Sequence, residues 1–243
     1  TDRPALPSDT AQMPEAIVVD RAHDNRFTTA ELNVLQARLA ARGRQLELAE
    51  DAQDLVGRLR YAQALAIISP GVSFTATEVQ AIQTFVDKGG RLLLVGDPTR
   101  YGILTDDYGD YAGLDSDATH LNSLAARFDL IFQADYLYNT VEYEGNYRNI
   151  RLTEMADGPL TGGLEQVVFY AAHSLISGQP ALIAAGGDTR SSSSERAGDL
   201  PVAVLAADGA VLALGDLTFM TEPYNTVYNN DRLVSNIADF LSG

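Results

Sequence analysis

Four apolar runs limit what this chain can fold into. Ala16-Ile17-Val18-Val19-Asp20, Ala64-Leu65-Ala66-Ile67-Ile68, Arg91-Leu92-Leu93-Leu94-Val95 and Ala210-Val211-Leu212-Ala213-Leu214 show no in/out alternation. A strand with one wet face alternates with period two, whereas a strand covered on both faces stays apolar throughout. Helical patterns separate the first three runs. Thr28-Thr29-Ala30-Glu31 and Thr75-Ala76-Thr77-Glu78 are capping boxes, each a hydroxyl followed three residues on by a glutamate. The first opens a helix with Leu32, Leu35 and Leu39 on one face, ended at Arg42-Gly43. The second carries Val79, Ile82, Phe85 and Val86, ended at Lys88-Gly89-Gly90. A short strand at 45–49 and a short helix at 51–60 fall between them. Alternating units with short links predict a mostly parallel α/β sheet built from right-handed crossovers.

Three of these strands deliver an aspartate at the carboxyl end: Asp20, then Asp97 after Gly96, and Asp216 after Gly215. Ligands of open α/β sheets bind outside those ends. The candidate ligand-binding residues are therefore Asp20, His23, Asn25, Asp97, Arg100 and Asp216.

The second half is less regular. Residues 101–150 form an insertion that holds seven of the 11 tyrosines: Tyr101, Tyr108, Tyr111, Tyr136, Tyr138, Tyr143 and Tyr147. Its segment 105–117 is Asp- and Gly-rich and reads as a surface excursion, followed by a helix over 119–128 and short irregular strands over 130–151. Further strands are expected at 167–171, 181–185 and 202–206, with a flexible loop at 190–196. Asp208-Gly209 between two apolar runs predicts a C-terminal β-hairpin. The last helix is capped at Asn229, Asn230 or Asp231 and carries Leu233, Val234, Ile237, Phe240 and Leu241. Residues 1–15 read as a linker and 16–243 as a single domain. The opening Thr1 and the Pro-rich start are expected of a chain whose signal or anchor was removed.

Composition excludes several classes of function. The 33 acidic residues against 17 basic give a net charge of -16, which argues against nucleic acid and against anionic bilayers. No cysteine is present, so thiol nucleophiles, thiolate metal sites and disulfides are out. No run approaches the roughly 20 apolar residues of a membrane span, so direct insertion of this chain is not expected.

Each candidate site carries two readings. His23 with Asp20 and Asp24 could orient a water, a metal or a substrate hydroxyl. It could equally pack against a strand end while Asp20 caps the loop. Asp97-Pro98 stands where amidotransferase-like folds carry their nucleophile elbow. Proline has no nucleophile, Asp97 would need an activating neighbour, no Gly-x-Ser-x-Gly occurs, and His120 and His173 match no triad pattern. Asp216 with Asn229 and Asn230 reads as a structural latch, with the asparagines capping the last helix. The run Asp106, Asp107, Asp110, Asp115, Asp117 lacks EF-hand spacing and reads as a solvated loop. The tyrosines suit either a recognition surface or a lid. No phosphate-binding glycine loop, metal site or cofactor is expected.

The order Ile17-Val18-Val19-Asp20-x-x-His23-x-Asn25-x-Phe27, then Gly89-Gly90-Arg91-Leu92-Leu93-Leu94-Val95-Gly96-Asp97, then Leu214-Gly215-Asp216 with Asn229-Asn230-Asp231, resembles a bacterial domain-of-unknown-function family. That family sits in the class I glutamine amidotransferase-like superfamily. It is similar to auxiliary domains of gliding-motility-type ABC transporters and to GIFT domains. The resemblance implies a flavodoxin-like three-layer α/β/α sandwich without the nucleophile. It also implies a non-catalytic ligand- or protein-binding module outside the cytoplasm, periplasmic or at the cell surface, with a protein partner in a membrane or transport complex. The alternative is a hydrolase acting on a sugar or peptide through His23 with Asp20 or Asp97.

Overall fold

Strands β1 (Ala16–Asp20), β2 (Gln45–Ala49), β3 (Ala64–Ile68) and β4 (Arg91–Val95) pair in parallel in the order β2-β1-β3-β4, and Val211–Leu214 joins β4 in the same direction. This is the flavodoxin-like doubly wound order. Leu200–Ala206, Ala181–Ala185 and Glu154–Met155 extend the sheet by antiparallel pairing to eight strands. The computed structural model describes residues 16–243, so the linker expected over 1–15 lies outside the described residues.

The missing alternation now has its cause. Ile17, Val19, Ala66, Ile68, Leu93 and Val95 enter one core, against α1 (Asn33–Ala40) and α5 (Asn230–Ser242). Val18, Leu65, Ile67, Leu92 and Leu94 enter the other, against α2 (Ala52–Arg58), α3 (Ala76–Asp87) and α4 (Asp117–Ala125). Successive residues feed opposite cores, so both must be apolar.

Local differences follow from local chemistry. The Thr28 amide donates to Glu31 Oε2 at 2.7 Å, but this box opens a 3-10 turn, Thr29–Leu32, that leads into α1. Ser116 accepts from the Ala118 amide, so α4 starts at Asp117 rather than 119, and its end tightens into the 3-10 turn Ala126–Phe128. The surface excursion is a two-stranded hairpin, Gly102–Thr105 with Tyr111–Asp115. The loop expected to be flexible begins with Arg190–Ser191 paired to Leu137–Tyr138. Among the described residues no helix is long and apolar enough to cross a membrane.

Candidate functional site

The three strand-end aspartates share one local device. Asp20 Oδ1 accepts from the Ala22 amide at 3.0 Å, Asp97 Oδ1 from Thr99 at 2.9 Å and Asp216 Oδ1 from Thr218 at 2.8 Å. Each carboxylate closes a turn onto the amide two residues on. All three side chains are buried.

At the end of β1, Asp20 also accepts from His23 Nδ1 at 3.0 Å and from Asn25 Nδ2 at 3.1 Å. Asn25 Nδ2 donates again to the Ile68 carbonyl of β3 at 2.9 Å. His23 Nε2 lies 3.2 Å from Glu78 in the first turn of α3, and its ring stacks on Phe74 at 3.8 Å. Both ring nitrogens thus face carboxylates. Burial opposes the charged imidazole, but the Asp20 hydrogen bond and the charges of Asp20 and Glu78 hold its pKa above the ordinary value. Glu78 sits low despite desolvation, through Thr75 and His23. This cluster is a closed brace between β1, β3 and α3.

A second brace surrounds Asp117, at the start of α4. Its Oδ2 accepts from Ser69 Oγ at 2.5 Å and from the Asp97 amide at 2.8 Å. Its Oδ1 accepts from His173 Nε2 at 2.8 Å, while His173 Nδ1 donates to the Asp135 carbonyl at 2.8 Å. His173 is thus buried with both ring nitrogens facing oxygens, an arrangement that favours the charged imidazole. Burial pushes it down, but Asp117, Asp135 and Asp97 hold it above its ordinary value. Gly96 and Gly215 make room for it: a Cβ on Gly215 would lie 2.2 Å from the His173 carbonyl oxygen, and one on Gly96 2.9 Å from its ring. Ser69, Asp117 and His173 do not form a nucleophilic triad, because the serine donates to the aspartate and not to the histidine.

Asp97 and Asp216 are joined by one residue. Thr218 donates its hydroxyl to Asp97 Oδ2 at 3.0 Å and its amide to Asp216 Oδ1. Asp216 Oδ2 accepts from the amides of Tyr170 and Phe219. Burial pushes both carboxyls up, and the charge of Asp97 pushes Asp216 further. The latch differs from the sequence expectation. Asp216 bonds no part of the 229–230 loop; Asn229 accepts from the Glu165 and Gln166 amides, and Asn230 brackets Val168, accepting from its amide and donating to its carbonyl. The asparagines tie α5 to the strand Val167–Tyr170 instead of capping the helix with their side chains.

Above these braces lies an open cleft of about 730 Å³. Arg100 lines it, but Asp20, His23, Asn25, Asp97 and Asp216 do not. The lining includes Glu31, Thr99, Arg148, Asn149, Tyr170, Thr218 and Tyr224. The aspartates act from beneath: Asp97 holds Thr99 and Thr218, Asp216 holds the Tyr170 backbone, and Glu31 pairs with Arg100. Burial beside Asp216 pushes the Tyr170 phenol up to about 12, so it remains a donor. Among the described residues no group of three or more acidic or histidine side chains is arranged to hold a metal ion.

Asp117 does not share the solvated loop expected of the run 106–117: it is buried, because Ser69, the Asp97 amide and His173 converge on it from segments far along the chain. The one local signal was Gly96 and Gly215, each placed just before a strand-end aspartate.

A family model described as Domain of unknown function (DUF4350) matches residues 32–238. No curated protein matches. Among solved structures, the mmIFT52 N-terminal domain aligns with a TM-score of 0.71 at 15% identity, covering 93% of this chain and 97% of that one. A putative ThuA-like protein from Bacteroides uniformis gives 0.55 at 14% identity, with 96% and 94% covered. A second, from Parabacteroides merdae, gives 0.50 at 11%, with 95% and 90% covered. At these identities the likeness is one of fold.

Proposed function

The chain belongs to the DUF4350 family of domains of unknown function, and we propose that it is a non-catalytic binding domain whose cleft takes a small, neutral, hydroxyl-rich ligand. One observation carries this reading. Every strand-end carboxylate is engaged within the protein, Asp20 by the Ala22 amide, His23 and Asn25, Asp97 by Thr99, Thr218 and Arg100, and Asp216 by backbone amides, while the cleft above presents opposed charges, amides and hydroxyls. A general acid or base must come within hydrogen-bond reach of the substrate, and Asp20, His23, Asp97 and Asp216 are sealed from it. The hydrolase alternative through His23 loses its support for that reason. In the cleft Arg100 and Arg148 balance Glu31 and Glu222, so a neutral ligand fits better than an ionic one. Thr99 and Thr221 donate their hydroxyl protons to Asp97 and the Thr218 carbonyl and so present acceptor oxygens, Asn146 and Asn149 line the cleft with amides, and Tyr170 and Tyr224 line it with aromatic rings.

The finer assignment belongs to the same reading: a class I glutamine amidotransferase-like sandwich without a nucleophile, working outside the cytoplasm beside a membrane or transport protein. The ThuA-like and mmIFT52 folds are compatible with it.

The test is thermal unfolding with a panel of neutral mono- and disaccharides beside nucleotides and amino acids. A ligand at 100 times its dissociation constant stabilises by about 2.7 kcal/mol. The expected result is a shift with a neutral sugar that Arg148→Ala and Tyr224→Ala each remove while unfolding unaided at the parent temperature. A shift produced by nucleotides alone would overturn the reading, as would a sugar shift that survives both substitutions.

A further inference from the structure

The hairpin that follows β4 stands apart from the central eight-stranded sheet. Gly102–Thr105 and Tyr111–Asp115 pair only with each other, so each strand has an open edge. Its apolar side chains face outward: Tyr101, Ile103, Leu104, Tyr108, Tyr111 and Leu114 are 48–91% exposed. Ile103 and Leu114 are direct cross-strand partners and share one face. An isolated two-stranded hairpin is marginal in water, and clustered exposed apolar side chains mark contact surfaces.

The blade is nonetheless built firmly at both ends. At its base Arg26 donates to the carbonyls of Arg100 at 3.1 Å and Asp115 at 2.8 Å, and pairs with the Asp115 carboxylate. His120 Nε2 meets the same carboxylate at 3.0 Å. Burial opposes, but His120 and Arg26 hold Asp115 below the usual carboxylate range. At the tip Asp106 Oδ1 accepts from the amides of Tyr108 and Asp110, both at 2.9 Å. The blade is thus shaped by its own hydrogen bonds while its apolar surface is left uncovered.

We propose that this hairpin is a docking blade for a protein partner whose apolar groove is bordered by lysine or arginine. Charge selects the partner. Asp106, Asp107 and Asp110 crown the tip, and no Lys or Arg occurs between Arg100 and Arg127. A second copy of a chain carrying a net charge of -16 is repelled, and so is an anionic bilayer. The open strand edges would let a partner strand add to the blade through its backbone. The surface shares no lining residue with the cleft, so it stands or falls apart from the ligand reading.

The test uses the described chain and a defined probe: a fluorescein-labelled nine-residue peptide alternating lysine with valine and tyrosine, with a glutamate-for-lysine peptide as its control. Anisotropy is read at 50 and 500 mM salt for the parent, Ile103→Ser/Leu114→Ser, Tyr108→Ser, and Asp107→Asn/Asp110→Asn. The expected result is binding of the lysine peptide only, weakened at least tenfold by the apolar substitutions and several-fold by the asparagines or by salt. Unchanged melting by circular dichroism separates lost docking from lost folding, and Tyr108, at 91% exposure, has no core to disturb. Equal binding of both peptides, or parent-level binding by all three variants, overturns the proposal. So does self-association in sedimentation that Ile103→Ser/Leu114→Ser abolishes, or flotation with phosphatidylserine vesicles.

Discussion

Replacing Asp117 by asparagine isolates the buried brace under the cleft. The carboxylate takes hydrogen bonds from Ser69 Oγ, the Asp97 amide and His173 Nε2, and it is 1% exposed. An asparagine keeps one oxygen. If its NH2 turns toward His173, two donors collide. If it turns the other way, Ser69 can reverse its hydroxyl, but the Asp97 N–H cannot become an acceptor. One buried donor is then orphaned, at about 1–3 kcal/mol, and the imidazolium loses its counter-charge. Removing one partner of a buried pair costs about 3–5 kcal/mol. The cost also depends on pH. The folded-state pKa of His173 is raised, so its contribution is complete below the unfolded value of about 6.5 and disappears as pH rises through the folded value. Asp117→Asn should therefore cost about 4 kcal/mol at pH 5.5 and progressively less in alkali, leaving the orphaned donor. Urea unfolding followed by far-ultraviolet circular dichroism at pH 5.5, 7, 8.5 and 9.5 measures it. His23 titrates in the same direction in both proteins and cancels in the difference. A cost below about 1 kcal/mol at pH 5.5, or one constant across the series, refutes the imidazolium pair.

The glycine under His173 gives a steric prediction with an internal control. Gly215→Ala places a Cβ 2.2 Å from the His173 carbonyl oxygen and should cost about 3 kcal/mol or more, whereas Gly57→Ala in α2 meets nothing within 4 Å and should stabilise by about 0.4–1 kcal/mol. Differential scanning calorimetry reads both, and a Gly215→Ala protein that melts with the parent contradicts the packing. Asp97→Asn keeps the turn onto Thr99 and takes away the charge that, after burial, raises Asp216. A raised carboxyl contributes stability that is complete below the unfolded pKa near 3.9 and lost as pH rises through the folded value. The fall in urea midpoint from pH 4 to 8 should be shallower in Asp97→Asn, and an equal or steeper fall counts against the coupling.

The sheet was readable because its cause is local. A strand such as Leu92-Leu93-Leu94-Val95 announces two buried faces without reference to any other segment. The capping boxes at Thr28 and Thr75 were equally local, although only Thr75 opens an α-helix directly. The site was readable in position and not in depth. Asp20, Asp97 and Asp216 do stand at strand ends, yet whether a carboxylate faces solvent or an amide depends on segments far away in sequence. Asp117 meets His173 across 56 residues. Asp216 meets Tyr170 across 46. The Tyr-rich segment 101–150 divides for the same reason: Tyr101, Tyr108 and Tyr111 belong to the exposed blade, whereas Tyr136 and Tyr147 sandwich Arg148, with ring centres 4.4 and 5.5 Å from its guanidinium.

The strand-end aspartates also show why such residues invite a catalytic reading and here resist it. A chain leaving a buried parallel strand must turn at once, and the turn exposes an amide with no partner in the sheet. A carboxylate at or just beyond the strand end satisfies the amide two positions on, and its second oxygen remains free to accept from elsewhere. Asp97 gives it to Thr218 and Asp216 to Tyr170, while Asp20 gives it to Asn25 of its own loop, which carries the link on to the Ile68 carbonyl of β3. Each aspartate thereby fixes its own loop and fastens it to a neighbour, so the geometry that concentrates carboxylates at this edge of the sheet is the geometry that consumes them. On the proposed binding reading, recognition falls to the layer above them, which includes Thr99, Arg100, Tyr170 and Thr218. Substitutions at the rim, such as Tyr224, which is 41% exposed, should alter binding with little change in folding, whereas Thr218, which bridges Asp97 and Asp216, and the aspartates beneath should alter folding first.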